Sequence, residues 1–114
     1  MASSNIYRVL FVCHGNICRS PMAEFILKDI VQKRGIQARF DISSAATSTE
    51  EIGNDVYPPA RRVLEAHGIA CEHRQARRLR KTDAASDFVI CMDAANLRNA
   101  RSIFGAAAGP NVFC

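Results

Sequence analysis

Val9-Leu10-Phe11-Val12-Cys13-His14-Gly15-Asn16-Ile17-Cys18-Arg19-Ser20-Pro21 joins an apolar run to a polar loop and the start of a helix. Val9 to Val12 is a short continuous apolar run, the pattern of a strand covered on both faces. Beyond Cys13 the chain turns polar and then enters a helix. Ser20 is a capping residue by type, and Pro21 suits the first helical position, where no amide donor is needed. Ala23, Ile26, Leu27, Ile30 and Val31 fall on one helical face, and Gly35 ends the pattern. A buried strand leading through a loop into a helix is the opening of a βαβ unit.

The same alternation runs on. Arg39 to Ser43, centred on Phe40 and Ile42, reads as a second strand. Pro59 opens a second helix with Ala60, Val63 and Leu64 inward and Gly68 as its stop. Phe88-Val89-Ile90-Cys91 is a third strand. Asp93 caps a third helix through Leu97, Ala100 and Phe104, stopped by Gly105, and Asn111-Val112-Phe113-Cys114 is a fourth strand cut short. This order predicts an α/β three-layer sandwich with a four-stranded parallel sheet and right-handed crossovers. One small domain spanning residues 1–114 accounts for the length. Ligands of such folds sit at the carboxyl ends of strands, which places the segment after Val12 at the site.

Composition narrows the function classes. Hydrophobic residues make up 48% and charged residues 23% of the chain, which excludes a disordered polypeptide. No apolar run nears the ~20 residues of a membrane span. The start, Met1-Ala2-Ser3-Ser4-Asn5, lacks the basic and apolar regions of a secretory signal, so the expected location is cytoplasmic. Five cysteines without a signal argue against a disulfide scaffold, and their spacing offers no paired zinc pattern. His14, His67 and His73 do not pair at helical ligand spacing, so neither metal nor cofactor is expected. The net charge is +4, and its densest source is Arg74-Gln75-Ala76-Arg77-Arg78-Leu79-Arg80-Lys81. No aromatic interleaves these arginines, which speaks against nucleic acid. A solvated surface is the plainer reading, and attraction of an anionic substrate the functional one.

The loop after Val12 carries the chemistry. Gly15 and Asn16 tolerate left-handed backbone angles, so His14, Gly15, Asn16, Ile17, Cys18, Arg19 and Ser20 can curl with amides inward around a phosphate- or sulfate-like anion. The helix N-terminus adds its dipole, and the Arg19 fork matches two phosphate oxygens. The same positive field favours the thiolate of Cys13, an in-line nucleophile. Ser20 can donate to that sulfur. Cys18 lies on the same tight loop and could trap an oxidised Cys13, although a small buried hydrophobe is its plainer reading. A lone Cys-x5-Arg match is weak. Here it includes Gly15, Asn16, Ser20 and Pro21 between a strand and a helix.

Val12 through Glu24 resembles the signature of the low-molecular-weight protein tyrosine phosphatases. Similarity continues through Ser43-Ser44-Ala45-Ala46-Thr47, Leu64-Glu65-Ala66-His67-Gly68-Ile69, His73, Ala76-Arg77 and Cys91-Met92-Asp93-Ala94-Ala95-Asn96-Leu97. One residue more than usual stands between His73 and Ala76-Arg77. The resemblance implies a Rossmann-like phosphatase fold, a phosphocysteine intermediate on Cys13, a phosphate clamp at Arg19 and a phosphotyrosine-containing protein or small aryl phosphate as substrate. It also implies a loop-supporting network of Asn16, Ser20, Ser44 and His73. Ile17 matches tyrosine-directed members, whereas the loop around Thr49-Glu50-Glu51 lacks the aromatic that some members place there.

The family's general acid is an aspartate in a late Asp-Pro-Tyr-like loop. No Asp-Pro pair occurs before Cys114, so no general acid is assigned, and the end of the fourth strand and the last helix are expected to be missing, with apolar sheet surface exposed. Asp83, Asp87 and Asp93 lie outside the matching context. Two rival functions resemble this pattern in part: a non-catalytic phosphate- or phosphotyrosine-binding module, and a thioredoxin-coupled arsenate reductase. The second would need a pair of relay cysteines, for which Cys71 and Cys91 are poorly spaced.

Overall fold

The computed structural model describes residues 5–114. Its centre is β1, Tyr7–Cys13, which is buried from Val9 to Cys13. β1 pairs in parallel with β2, Phe40–Ala46, on one side and with β3, Phe88–Cys91, on the other. The short β4, Val112–Phe113, joins β3 in parallel. The order β2-β1-β3-β4 means that the chain leaves β1 in one direction and returns to it from the other. The crossovers therefore part at the carboxyl end of β1, which opens a crevice there.

Alternation along β1 sorts the core. Leu10 and Val12 point to one face, where Val89, Cys91, Val112, Leu79, Ala100 and Phe104 pack with them. Ala100 and Phe104 come from α3, Ala94–Phe104. Val9 and Phe11 point to the other face and meet Ile42 and Val31, with Ala23 and Leu27 alongside. Those last three belong to α1, Arg19–Lys33. The second helix, α2, Pro58–Ala66, packs against α1 through Ala60, Leu64 and Phe25. The expected layers and parallel sheet are present. Beside β4, Phe113 is 40% exposed next to its register partner Ile90. Among the described residues no helix is long and apolar enough to cross a membrane.

Some expected details differ. β2 runs on to Ala46 because Ser44, Ala45 and Ala46 are small enough to let another segment approach: the Ala46 amide donates to the Arg77 carbonyl at 2.7 Å, and the Leu79 amide donates to the Ala46 carbonyl at 2.8 Å. α1 has two neighbours rather than one, so its stripe is split. Ala23, Leu27 and Val31 face the sheet, Met22 and Phe25 face α2, and Ile26 and Ile30 are left exposed. Val63 is likewise exposed on α2, which starts at Pro58 rather than Pro59. The Asp93 cap on α3 is as expected, with its carboxylate accepting from the Asn96 amide at 2.8 Å.

Candidate active site

Cys13 ends β1, and its thiol is held by two donors or partners from its own loop. The Asn16 amide points at the sulfur at 3.3 Å, and the Ser20 hydroxyl lies 3.0 Å from it. Ser20 is not the helix cap. Cys18 occupies that position without a side-chain bond, and Ser20 sits in the first turn, where its hydroxyl turns back to the sulfur. The first helical bond runs from Met22 N–H to the Cys18 carbonyl, so the amides of Arg19 and Ser20 are left over at the helix start.

The loop's carbonyls show which way its amides face. The Cys13 carbonyl accepts from Thr47 N–H at 3.0 Å and the His14 carbonyl from Ser48 N–H at 3.0 Å. The Asn16 carbonyl accepts from Arg74 Nη2 at 2.6 Å and the Ile17 carbonyl from Tyr57 N–H at 2.7 Å. In a planar trans peptide the next residue's N–H points opposite to the carbonyl. With four carbonyls drawn outward, the amides of His14, Gly15, Ile17 and Cys18 turn inward. That is a nest for an anion at a helix N-terminus.

Asn16 is the pin of this loop. Its φ of 60° is left-handed, and it is fully buried. Its amide nitrogen Nδ2 donates to Ser20 Oγ at 2.8 Å, while Oδ1 accepts from Arg74 Nη2 at 2.5 Å and from Arg77 N–H at 3.2 Å. Gly15 is not left-handed. Its lack of a side chain answers a contact instead: an added Cβ would stand 3.2 Å from Glu51 Cγ. The wall that supplies Glu51 also binds His14, whose Nε2 lies 3.0 Å from Glu50 Oε2.

Arg19 stands at the rim, with about half of its side chain exposed. Its Nη1 donates to Asp93 Oδ2 at 2.8 Å. That bond raises the Arg19 pKa from its ordinary value against a smaller effect of burial, and holds Asp93 below its own. Asp93 thus anchors α3 with one oxygen and steadies Arg19 with the other.

The model of the family described as "Low molecular weight phosphotyrosine protein phosphatase" matches residues 8–111. The chain belongs to this family. It is 43% identical over 100 residues to the phosphatase of that name from Gallus gallus, covering 87% of this chain and 63% of that one. The namesake from Schizosaccharomyces pombe is 42% identical over 118 residues, covering 92% and 75%. Among solved structures, the low-molecular-weight protein tyrosine phosphatase from Streptococcus pyogenes superposes with a TM-score of 0.87 at 33% identity, covering 95% of this chain and 71% of that one. The chain therefore spans less than two thirds of the length of the chicken relative.

Against the family's pattern, two supporting residues fall elsewhere in this chain. His73 does not reach the loop. Its Nδ1 lies 2.5 Å from Asp55 Oδ2, and the side chain is mostly exposed. Arg74, not His73, stands against Asn16. Ser44 donates to Glu24 Oε1 at 2.5 Å, one layer behind the loop, and Lys28 donates to the other Glu24 oxygen at 2.6 Å. Glu24 and Asp55 carry no role expected from the sequence, and Arg74 enters there only as the start of the basic run. Asp55 ties this region together by accepting from Arg61 Nη2 at 3.0 Å and from Arg74 N–H at 3.2 Å. Its carboxyl lies well below the usual range, chiefly because of the His73 bond.

The other carboxylates and thiols have structural places. Asp83 is buried and takes both Arg77 nitrogens, at 2.9 and 3.1 Å, with the Arg80 amide at 2.7 Å. Asp87 accepts from the Arg8 amide at 2.7 Å. Cys18 and Cys71 pack beside the Phe25, Val56, Ala60 and Leu64 cluster, and Cys91 lies beneath α3. Burial pushes the Cys71 thiol up and the Cys91 thiol to about 11. Among the described residues no group of three or more His, Cys, Asp or Glu is placed to hold a metal.

Proposed function

We propose that this chain is a phosphotyrosine phosphatase acting through a cysteinyl-phosphate on Cys13. The observation that carries the reading is the sulfur between Asn16 N–H and Ser20 Oγ, at the mouth of a loop whose amides turn inward. A phosphoryl group seated on those amides and Arg19 presents its phosphorus to the sulfur. The sulfur attacks, the aryl oxygen leaves with the bond's electrons, and Arg19 with the amides stabilises the charge on the equatorial oxygens. Water then takes the phosphoryl group and regenerates the thiolate. Ser20 can donate to the departing sulfur in that second step. Asp83, Asp87 and Asp93 are already engaged, so no general acid is assigned to any of them.

Ile17 supports tyrosine rather than arginine phosphates as substrates, and a phosphotyrosine protein or a small aryl phosphate fits the anion site. Free Cys13, Cys18, Cys71, Cys91 and Cys114 suit a reducing compartment, which supports a cytoplasmic location. The arsenate reductase alternative is disfavoured by Cys71 and Cys91, whose packing and raised thiol pKa values suit no relay.

Hydrolysis of p-nitrophenyl phosphate tests the proposal. Cys13→Ser should abolish turnover yet keep most vanadate binding, because the amide nest remains. Arg19→Ala should weaken anion binding itself. Substantial turnover by Cys13→Ser rules the mechanism out. Anion binding by a wild-type protein that never hydrolyses would favour the binding-module alternative.

A further inference from the structure

Arg74 reaches the catalytic loop from 58 residues further along the chain. One guanidinium nitrogen donates both to the Asn16 carbonyl, at 2.6 Å, and to Asn16 Oδ1, at 2.5 Å. The other nitrogen donates to the Asn54 carbonyl at 3.3 Å, and the Arg74 backbone amide is fixed on Asp55. The side chain is thus clamped at both ends. From Asn16 the bonds continue to Ser20 Oγ and from there to Cys13 Sγ. Arg74 heads an unbroken line of hydrogen bonds that ends on the sulfur.

The charges around it are mixed. Burial lowers the Arg74 pKa from its ordinary value, while Glu24, Asp55 and Cys13 oppose that. A guanidinium stays charged throughout the assay range in either case. Asn16 tolerates the left-handed conformation without imposing it, and the two acceptors it offers one Arg74 nitrogen fix both its backbone and its side chain.

We propose that Arg74 is the positioning residue of this active site: it locks Asn16 in its left-handed conformer and keeps a permanent positive charge behind the Cys13 sulfur. The inference rests on Cys13 as the nucleophile of the proposed phosphatase. It assigns to an arginine the task that the resemblance gives to His73. The lock then has no titration of its own near neutrality, whereas an imidazole would lose its charge near pH ~6.5.

Four variants test it: Arg74→Ala, Arg74→Lys, Arg74→His and His73→Ala. Two readouts are followed from about pH 4.5 to 9. One is kcat/KM on p-nitrophenyl phosphate, and the other is alkylation of Cys13 by iodoacetate, located by peptide mass spectrometry, with and without inorganic phosphate. Arg74→Ala should lower kcat/KM about ten- to hundredfold, the equivalent of a charge-assisted hydrogen bond. Its alkylation should become half-maximal at a higher pH than in the wild type. Arg74→Lys should recover part of both losses. Arg74→His should add a decline centred near pH ~6.5 that the wild type lacks. His73→Ala should lose less than Arg74→Ala.

Wild-type values in Arg74→Ala, a pH profile of Arg74→His parallel to the wild type, or a larger loss in His73→Ala would each overturn the assignment. Should Arg74→Ala fail to fold, the lysine and histidine variants decide. A wild type that hydrolyses nothing, yet is alkylated at Cys13 with phosphate protection, would refute the phosphatase reading while the alkylation profiles still judge Arg74.

Discussion

Replacing Asn16 separates the two terms that hold the loop. In Asn16→Ala the left-handed φ of 60° persists only at a cost of about 1–2 kcal/mol. The bond from Arg74 to Oδ1 is lost too, and a hydrogen bond to a charged group contributes about 1.5–3 kcal/mol. Together the loss is about 3–5 kcal/mol, a large share of the ~5–15 kcal/mol stability of a domain. Asn16→Gly loses the same bonds but escapes the strain, and gives back about 0.4–1 kcal/mol through a more flexible unfolded chain. The glycine variant should therefore be more stable than the alanine variant by about 1 kcal/mol, with both well below the wild type. Guanidinium chloride unfolding, followed by circular dichroism and fitted for midpoint and slope, measures all three. Equal stabilities for glycine and alanine would remove backbone strain from the account. An Asn16→Ala protein within ~0.5 kcal/mol of the wild type would refute the whole assignment of Asn16 as the pin.

Asp83 should make the fold acid-sensitive. Burial works to raise its pKa, but the Arg77 fork and the Arg80 amide outweigh that, so its folded pKa lies below the ordinary value. A depressed carboxyl contributes stability above its unfolded pKa of ~3.9 and loses it as pH falls through the folded value. Asp83→Asn should cost about 2 kcal/mol near neutrality and flatten the acid limb below pH ~4 in urea midpoints taken across pH. The 114-residue polypeptide, with no acid assigned, should turn over aryl phosphates with a steep dependence on leaving-group pKa, since a positioned acid is typically worth ~10²–10⁴ in rate. Equal single-turnover rates across a phenol series would show that some group supplies the proton. Peroxide should abolish the proposed turnover and dithiothreitol restore it, with bound phosphate slowing the loss. Cys18→Ser should recover less, and recovery equal to the wild type would leave Cys18 as the packing residue its place beside Phe25 and Ala60 makes it.

Much of this architecture was legible because it rests on local patterns. The apolar run before Cys13, the Asp93 cap and the Gly105 stop each depend on residues a few positions apart. The inner face of α1 was read less well, since apolar type alone places Ile26 and Ile30 inward, whereas a helix with two neighbours buries Phe25 and Glu24 instead. Glu24 left a trace in the sequence: an acid four residues after Ser20 on a stripe otherwise continued by Leu27 and Val31. Arg74 was harder. Residues 70–77 have no periodicity, and their register is fixed by pairing with Ala46 and Asn54 rather than by propensity. The extra residue after His73 was the visible clue, and only the fold converts it into which side chain meets Asn16.

The distance along the chain between Asn16 and its partners also bears on when the site comes into being. Arg74 and Arg77 follow Asn16 by 58 and 61 residues. At synthesis rates of about 5–20 residues per second, about 3–12 s pass before they are made. Until then the newborn loop has only its local bonds, to Ser20 and Cys13, to hold Asn16. The network behind the proposed anion nest is therefore completed late in biosynthesis, long after Cys13 itself has been made.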